Sequence, residues 1–173
     1  MNIRHTAIRV GAGLLLAALA TSAFAAGTVS TTANATLTVM SPDTLTKTQD
    51  LVFGTVIRPS SGTNTIALSS TSGTVTVSAG AGNASVVNST TSQARFNFVA
   101  PAATTYTTTQ SLTFTQNGLT NVSAAAPTTT TGSLGTVPAG GTQDINVGGQ
   151  FDISSATTAQ NYTGTLTLTV NYN

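Results

Sequence analysis

The chain has 173 residues, of which five are Lys or Arg and four are Asp or Glu, with one histidine and no cysteine. Disulfide scaffolds and thiol chemistry are excluded at once. With no basic run beyond the first residues, nucleic acid and anionic membrane surfaces are not expected as partners drawn by a long-range field.

Residues 1–25 read as a secretory signal. Arg4 and Arg9 make a basic beginning, residues 10–20 are an apolar run, and Ala23-Phe24-Ala25 fits the small-x-small cleavage pattern. That run is too short to span a bilayer, and no later stretch approaches the length a transmembrane helix needs. The expected mature chain begins near Ala26 and forms one domain over residues 26–173, 148 residues in all. Its charges reduce to Lys47, Arg58 and Arg95 against Asp43, Asp50, Asp144 and Asp152, a net of −1. Of these residues 36 are threonine, a β-branched side chain that suits half-solvated sheets and is poor in helix interiors.

Taken in order, Ala35, Leu37 and Val39 alternate with Thr36 and Thr38 as a first expected strand. Ser41-Pro42-Asp43 closes it, because proline has no N–H for a ladder. Residues 50–57 are a nearly continuous apolar run ahead of Pro59, expected as a strand buried on both faces. Residues 65–68 and 74–77 suit a hairpin around Gly73, and residues 84–87 are either a short strand or irregular. Ala94, Phe96 and Phe98 alternate with polar neighbours, which places both phenylalanines in the core.

Tyr106 and Leu112-Thr113-Phe114 are expected in a further hairpin whose second strand covers residues 119–123. Residues 124–131 end in a tetrad of threonines and read as loop. Ile145 and Val147 share a face, Gly148-Gly149 bends the chain, and Phe151 and Ile153 continue the pattern.

The closing stretch is the most regular. Tyr162, Leu166, Leu168, Val170 and Tyr172 fall on one face of a strand; Thr163, Thr165, Thr167, Thr169 and Asn171 fall on the other. Gly164 interrupts the apolar row, as at a bulge or a close backbone approach. Eight to ten short strands with regular turn signals predict an all-β sandwich.

Chemistry is sparse. His5 belongs to the signal, so the mature chain offers no base for a serine or cysteine nucleophile, and it has no glutamate. The four aspartates are scattered. Asp144-Ile145-Asn146 with Asp152 lacks the spaced acids of a calcium loop, and the glycine pairs at 140–141 and 148–149 lead into no phosphate-binding helix. The chain is read as non-enzymatic, with no catalytic, cofactor-binding or metal-ligating residue expected. Asn-x-Ser/Thr triplets at Asn34, Asn83, Asn88, Asn121 and Asn161 arise readily in such a composition.

Four segments in order carry a resemblance: Leu51-Val52-Phe53-Gly54-Thr55-Val56, Ala94-Arg95-Phe96-Asn97-Phe98, Ile145-Asn146-Val147-Gly148-Gly149-Gln150-Phe151, and the closing run from Gln160 to Tyr172. Together they resemble the bacterial domain of unknown function family 4402, itself similar to the spore coat protein U domain and to the pilin subunits of archaic chaperone–usher fibres. Those two relatives generally carry an early cysteine pair and this chain has none, so the cysteine-free family is the nearer likeness.

The resemblance implies an immunoglobulin-like, pilin-like antiparallel β-sandwich, either complete or lacking one edge strand. In archaic pilins a neighbour's N-terminal segment fills that gap. The segment expected to play donor here carries Val29, Ala33, Ala35, Leu37 and Val39 on one face; as a first strand of a complete sandwich it would instead serve its own chain. Tyr162, Leu166, Leu168, Val170 and Tyr172 form the expected acceptor face. Expected partners are further copies or other fibre subunits, with a periplasmic chaperone and an outer-membrane usher. The expected location is the periplasm, cell surface or an extracellular fibre, and the expected role is a structural subunit of a fibre or surface layer. The competing expectation is a monomeric secreted module binding a glycan or host protein, which concentration-independent size would reveal.

Overall fold

The computed structural model describes residues 30–39, 43–78, 80–87 and 90–172. The chain divides into two compact units, Met1–Leu37 and Thr38–Asn173. Of the first, residues 30–37 are described; they take no regular secondary structure and are exposed throughout. The expected signal, together with Val29, Pro42 and Asn88, lies outside the described residues.

The second unit is all-β, with no helix among the described residues. Its strands are β1 (Thr44–Gln49), β2 (Thr55–Ile57), β3 (Thr63–Leu68), β4 (Val75–Val77), β5 (Ser85–Val87), β6 (Ala94–Val99), β7 (Tyr106–Phe114), β8 (Thr120–Ala124), β9 (Thr128–Thr129), β10 (Thr142–Val147), β11 (Gly149–Ser154) and β12 (Gly164–Tyr172). One sheet has the order β1-β6-β10-β9 and a second β4-β3-β11-β8; β12 pairs with β7, and β2 with β5. Every pairing is antiparallel. The architecture is an antiparallel β-sandwich.

Alternation decides which residues enter its core. On β6, Ala94, Phe96 and Phe98 are buried while Arg95 and Asn97 between them are half-buried. Register sets Phe96 opposite Ile145 on β10, and the cluster is completed across the sandwich by Tyr106 and Leu168. The Phe98 and Tyr106 rings meet edge to face at 5.2 Å.

Between β10 and β11 the chain leaves one sheet for the other at Gly148. A Cβ there would lie 2.1 Å from the Leu68 carbonyl oxygen and 2.7 Å from the Ser70 amide nitrogen, so glycine alone permits the crossing.

A polar side chain is held inside this core. Gln143 is fully buried; its Oε1 accepts from the Tyr106 hydroxyl, and its Nε2 donates to the carbonyls of Thr131 and Ser133, each at 3.0 Å. All its polar atoms are satisfied, which is the condition for such burial. Burial raises the Tyr106 pKa above its ordinary 10.0, against a smaller lowering by a hydrogen bond with the Gly135 backbone.

Four sequence expectations are corrected. Ala35, Leu37 and Val39 form no strand in this chain, so the reading of that segment as the first strand of a complete sandwich fails; the first strand is β1. β1 has one apolar residue, Leu45, and is held by its ladder to β6 rather than by a buried row. Residues 50–57 are not a doubly buried strand: Gly54 turns to φ +73°, only β2 remains regular, and Val52 and Ile57 are exposed. β7 is one strand of nine residues paired with β12, while residues 119–123 pair with β11 instead of closing a hairpin on β7. Part of the threonine tetrad, β9, adds to β10 at the sheet edge rather than remaining loop.

A candidate strand-acceptor groove

β1 and residues 51–53 run in one direction and β12 in the other. Leu45 lies opposite Phe98, whose ring packs 6.3 Å from Tyr172, while Phe53 packs 6.3 Å from Phe114, the partner of Gly164. At the Tyr172 end the two layers close on the Phe98 cluster. Toward the Gly164 end they part, leaving a groove of about 1000 Å³ between residues 50–56 and Gly164–Leu166 with the 157–163 loop.

The groove is apolar at depth. Phe114 and Phe151 meet edge to face at 5.6 Å, and Phe53 packs on Phe151 at 5.0 Å in the same manner. Tyr162 closes the loop side, its ring perpendicular to Phe114 and its hydroxyl donating to the Thr158 carbonyl at 2.9 Å. Arg58 anchors the far end by donating to the Thr157 carbonyl at 2.6 Å. The rim carries a Lys47–Asp50 ion pair at 2.5 Å, exposed on both sides and therefore of little energetic weight.

Both rims present main-chain groups. The Thr115 amide donates to the Thr163 carbonyl at 2.8 Å, and this register continues through Thr165↔Thr113 to Asn171↔Thr107. The odd-numbered residues of β12 thus bond to β7, and antiparallel alternation turns the N–H and C=O of Gly164, Leu166, Leu168 and Val170 to the outer edge. No other strand pairs with that edge among the described residues. On the opposite rim Val52 exchanges both its bonds with Ser92, at 2.8 and 2.9 Å, so the main chain of Leu51 and Phe53 faces away from Ser92. The groove is a slot with hydrogen-bonding edges on two sides and aromatic rings beneath.

Of the residues expected to form the acceptor face, Tyr162 and Leu166 line this groove, whereas Leu168 and Val170 pack into the Phe98 cluster. Leu168 is buried, Leu166 and Val170 are half-buried, and Tyr172 is 53 % exposed. Tyr162 precedes β12 rather than belonging to it. Gly164 stands in register with Phe114 without a bulge; a Cβ would meet the Thr113 carbonyl oxygen at 2.3 Å, so the glycine serves a close approach. The donor candidates Ala33, Ala35, Leu37 and Val39 are exposed, Leu37 by 87 % and Val39 by 83 %. Sequence reasoning missed Leu51 and Phe53 as a rim. The signal was present in Gly54, which breaks the run that seemed to demand double burial.

The outer face of the β7–β12 pair is different in kind. Thr107, Thr109, Ser111 and Thr113 stand opposite Asn171, Thr169, Thr167 and Thr165, all eight exposed. Neither strand contains a charged residue.

The aspartates do not converge. Asp144 on β10 accepts from Asn97 at 2.8 Å, whereas Asp152 on β11, in the other sheet, accepts from Thr65 and Asn121 at 2.5 Å each. Among the described residues no group of three potential metal ligands occurs, and no helix is long and apolar enough to cross a membrane. Residues 44–172 match the model of one protein family, a domain of unknown function designated DUF4402. No curated protein and no solved structure matches the chain.

Proposed function

The chain belongs to the DUF4402 family, and we propose that it is an exported, non-enzymatic structural subunit that assembles by accepting a strand from another chain. The observation that carries this reading is the slot beside β12, where a free ladder edge adjoins an apolar groove. A strand laid there gains main-chain bonds from Gly164 and Leu166 on one side and from Leu51 and Phe53 on the other. Its alternate side chains cover Phe114 and Phe151. Strand addition of this kind draws affinity from the backbone and register from the side chains.

The unguarded edge supports the same reading. Isolated edge strands are normally protected by lysine, proline or a bulge, and β12 has none of these over nine residues. The resemblance to archaic pilins and to the spore coat protein U domain agrees with it, as does the basic-apolar-small pattern of residues 1–25, which suits export to the envelope. A periplasmic chaperone that occupies the slot until assembly, and an outer-membrane usher that exchanges it, are the partners this mode requires.

The test is electrophoresis and size-exclusion chromatography of the processed protein recovered from an exporting bacterial host. Multimers that survive detergent at room temperature and collapse on boiling are expected. A single monomer at every concentration, with one cooperative melt, overturns the proposal.

A further inference from the structure

We infer that Asn117-Gly118, in the turn between β7 and β8, is a site of spontaneous covalent modification, where the chain's own backbone converts the asparagine amide to isoaspartate and aspartate. The reaction is independent of strand addition: it needs neither a partner nor a cofactor, and solvent water is the co-reactant.

Sequence and structure together single out this asparagine. It is the one asparagine in the chain that a glycine follows, and a residue without a Cβ leaves the path from its nitrogen to the preceding side-chain carbonyl unobstructed. Most other asparagine amides are held in place. Asn64 is buried and donates to the Ser78 carbonyl at 3.2 Å; Asn83 accepts from the Ser60 amide at 2.8 Å. Asn97 donates to Asp144, Asn121 to Asp152 and Asn146 to Thr130. Asn117 is exposed, and its amide has no hydrogen-bond partner among the described residues. Asn34, Asn161 and Asn171 share that freedom, but they precede Ala35, Tyr162 and Tyr172, whose side chains crowd the nucleophile.

The nucleophile is free as well. The ladder of β7 to β12 ends with the Thr115 amide on the Thr163 carbonyl, and β8 begins at Thr120. Between them the Gly118 amide nitrogen makes no hydrogen bond among the described residues, while the Gly118 carbonyl accepts from Thr157 Oγ1 at 3.0 Å. Base removes the Gly118 amide proton, and the nitrogen attacks Asn117 Cγ within the same chain, a ring closure that proximity favours. A C–N bond forms, the Cγ–Nδ2 bond breaks and ammonia leaves, giving a cyclic imide. Water then opens the ring. Addition at the former side-chain carbonyl gives aspartate; addition at the Asn117 main-chain carbonyl routes the backbone through the side chain as isoaspartate. In balance, amide and water become carboxylate and ammonium. The new charge arises where residues 115–120 have no ionisable group, beside Tyr162, whose hydroxyl would lie 3.0 Å from a Cβ on Gly118.

The folded protein is incubated in mildly alkaline buffer, and the modified position is followed by peptide mapping with mass spectrometry and by labelling with an isoaspartyl methyltransferase. Amide loss at Asn117 is expected several-fold faster than at any other asparagine, with isoaspartate exceeding aspartate. Its rate should lie within a few-fold of that in the free peptide spanning residues 115–120, and should climb with pH because base generates the nucleophile. G118A should slow the loss several-fold. That variant places a Cβ at φ +119°, so its thermal melt is recorded alongside. N117Q keeps the glycine and would have to close a larger ring; it should accept no methyl group at that position, which preserves the test if G118A fails to fold. An intact Asn117 in the folded chain, under conditions where the free peptide reacts, overturns the proposal. Loss spread evenly over Asn34, Asn117, Asn161 and Asn171 overturns it too. Aspartate as the sole product overturns the cyclic route.

Discussion

The two ends of the sandwich use similar residues to opposite effect. Around Phe98 the core is finished: Ala94, Phe96, Tyr106, Ile145, Val147 and Leu168 are all buried with it. Around Phe151 only Ile66 and Ile153 join it in full burial, while Phe53, Phe114 and Val122 remain partly exposed. The same aromatic content closes one end and leaves the other open, and the difference lies in backbone continuity. β10 is flanked by β6 and β9, whereas the layer over Phe114 ends at the bare edge of β12 and at the broken run of residues 51–54. One end of the sandwich is sealed, and the other keeps an apolar groove beside a ladder edge that pairs with no other strand among the described residues.

The comparison is tested most severely by F98A. Removing a fully buried ring from the closed end should cost about 3–5 kcal/mol and unfold the monomer at low denaturant. Second comes Y106F, which leaves the buried Gln143 oxygen without its donor. The expected loss at neutral pH is about 1–3 kcal/mol by urea titration. The pH dependence carries a sign. The Tyr106 pKa is raised in the folded state, so its contribution is complete below about pH 10 and is lost as pH climbs through the raised value. Wild type should lose stability across that alkaline window, and Y106F should lose less.

F53A at the open end is expected to cost about 1–2 kcal/mol in the monomer while sharply reducing detergent-resistant multimers. Equal damage to folding by F53A and F98A would erase the distinction between the ends. The smallest expected effect is that of L37D on the monomer, within about 0.5 kcal/mol, because Leu37 is almost wholly exposed.

β12 was legible in the sequence because its two faces differ in chemistry at every step from Thr165 to Tyr172. β6 was legible for the same reason. β1 was not: Thr-Leu-Thr-Lys-Thr-Gln offers one apolar residue, and its strand state comes from pairing with β6, a partner 51 residues on by the Thr46↔Asn97 register that local pattern does not contain. β9 is two threonines whose role depends on the neighbouring β10 edge. Residues 50–57 misled because an apolar run reads as double burial, whereas Gly54 redirects the chain and the exposed side chains line a slot. The apolar row of β12 could be read directly; that its outer edge stays bare is a property of sheet order, which emerges only when all the pairings are known.

The outer face of the β7–β12 pair has a consequence of its own. Its eight exposed side chains are seven hydroxyls and one amide, with no ionisable group among them. Such a surface keeps its hydration without relying on charge, so acid or alkali has nothing there to titrate and dissolved ions have nothing there to screen. Across wide changes of pH and salt, that wall of the domain stays equally wetted and equally neutral.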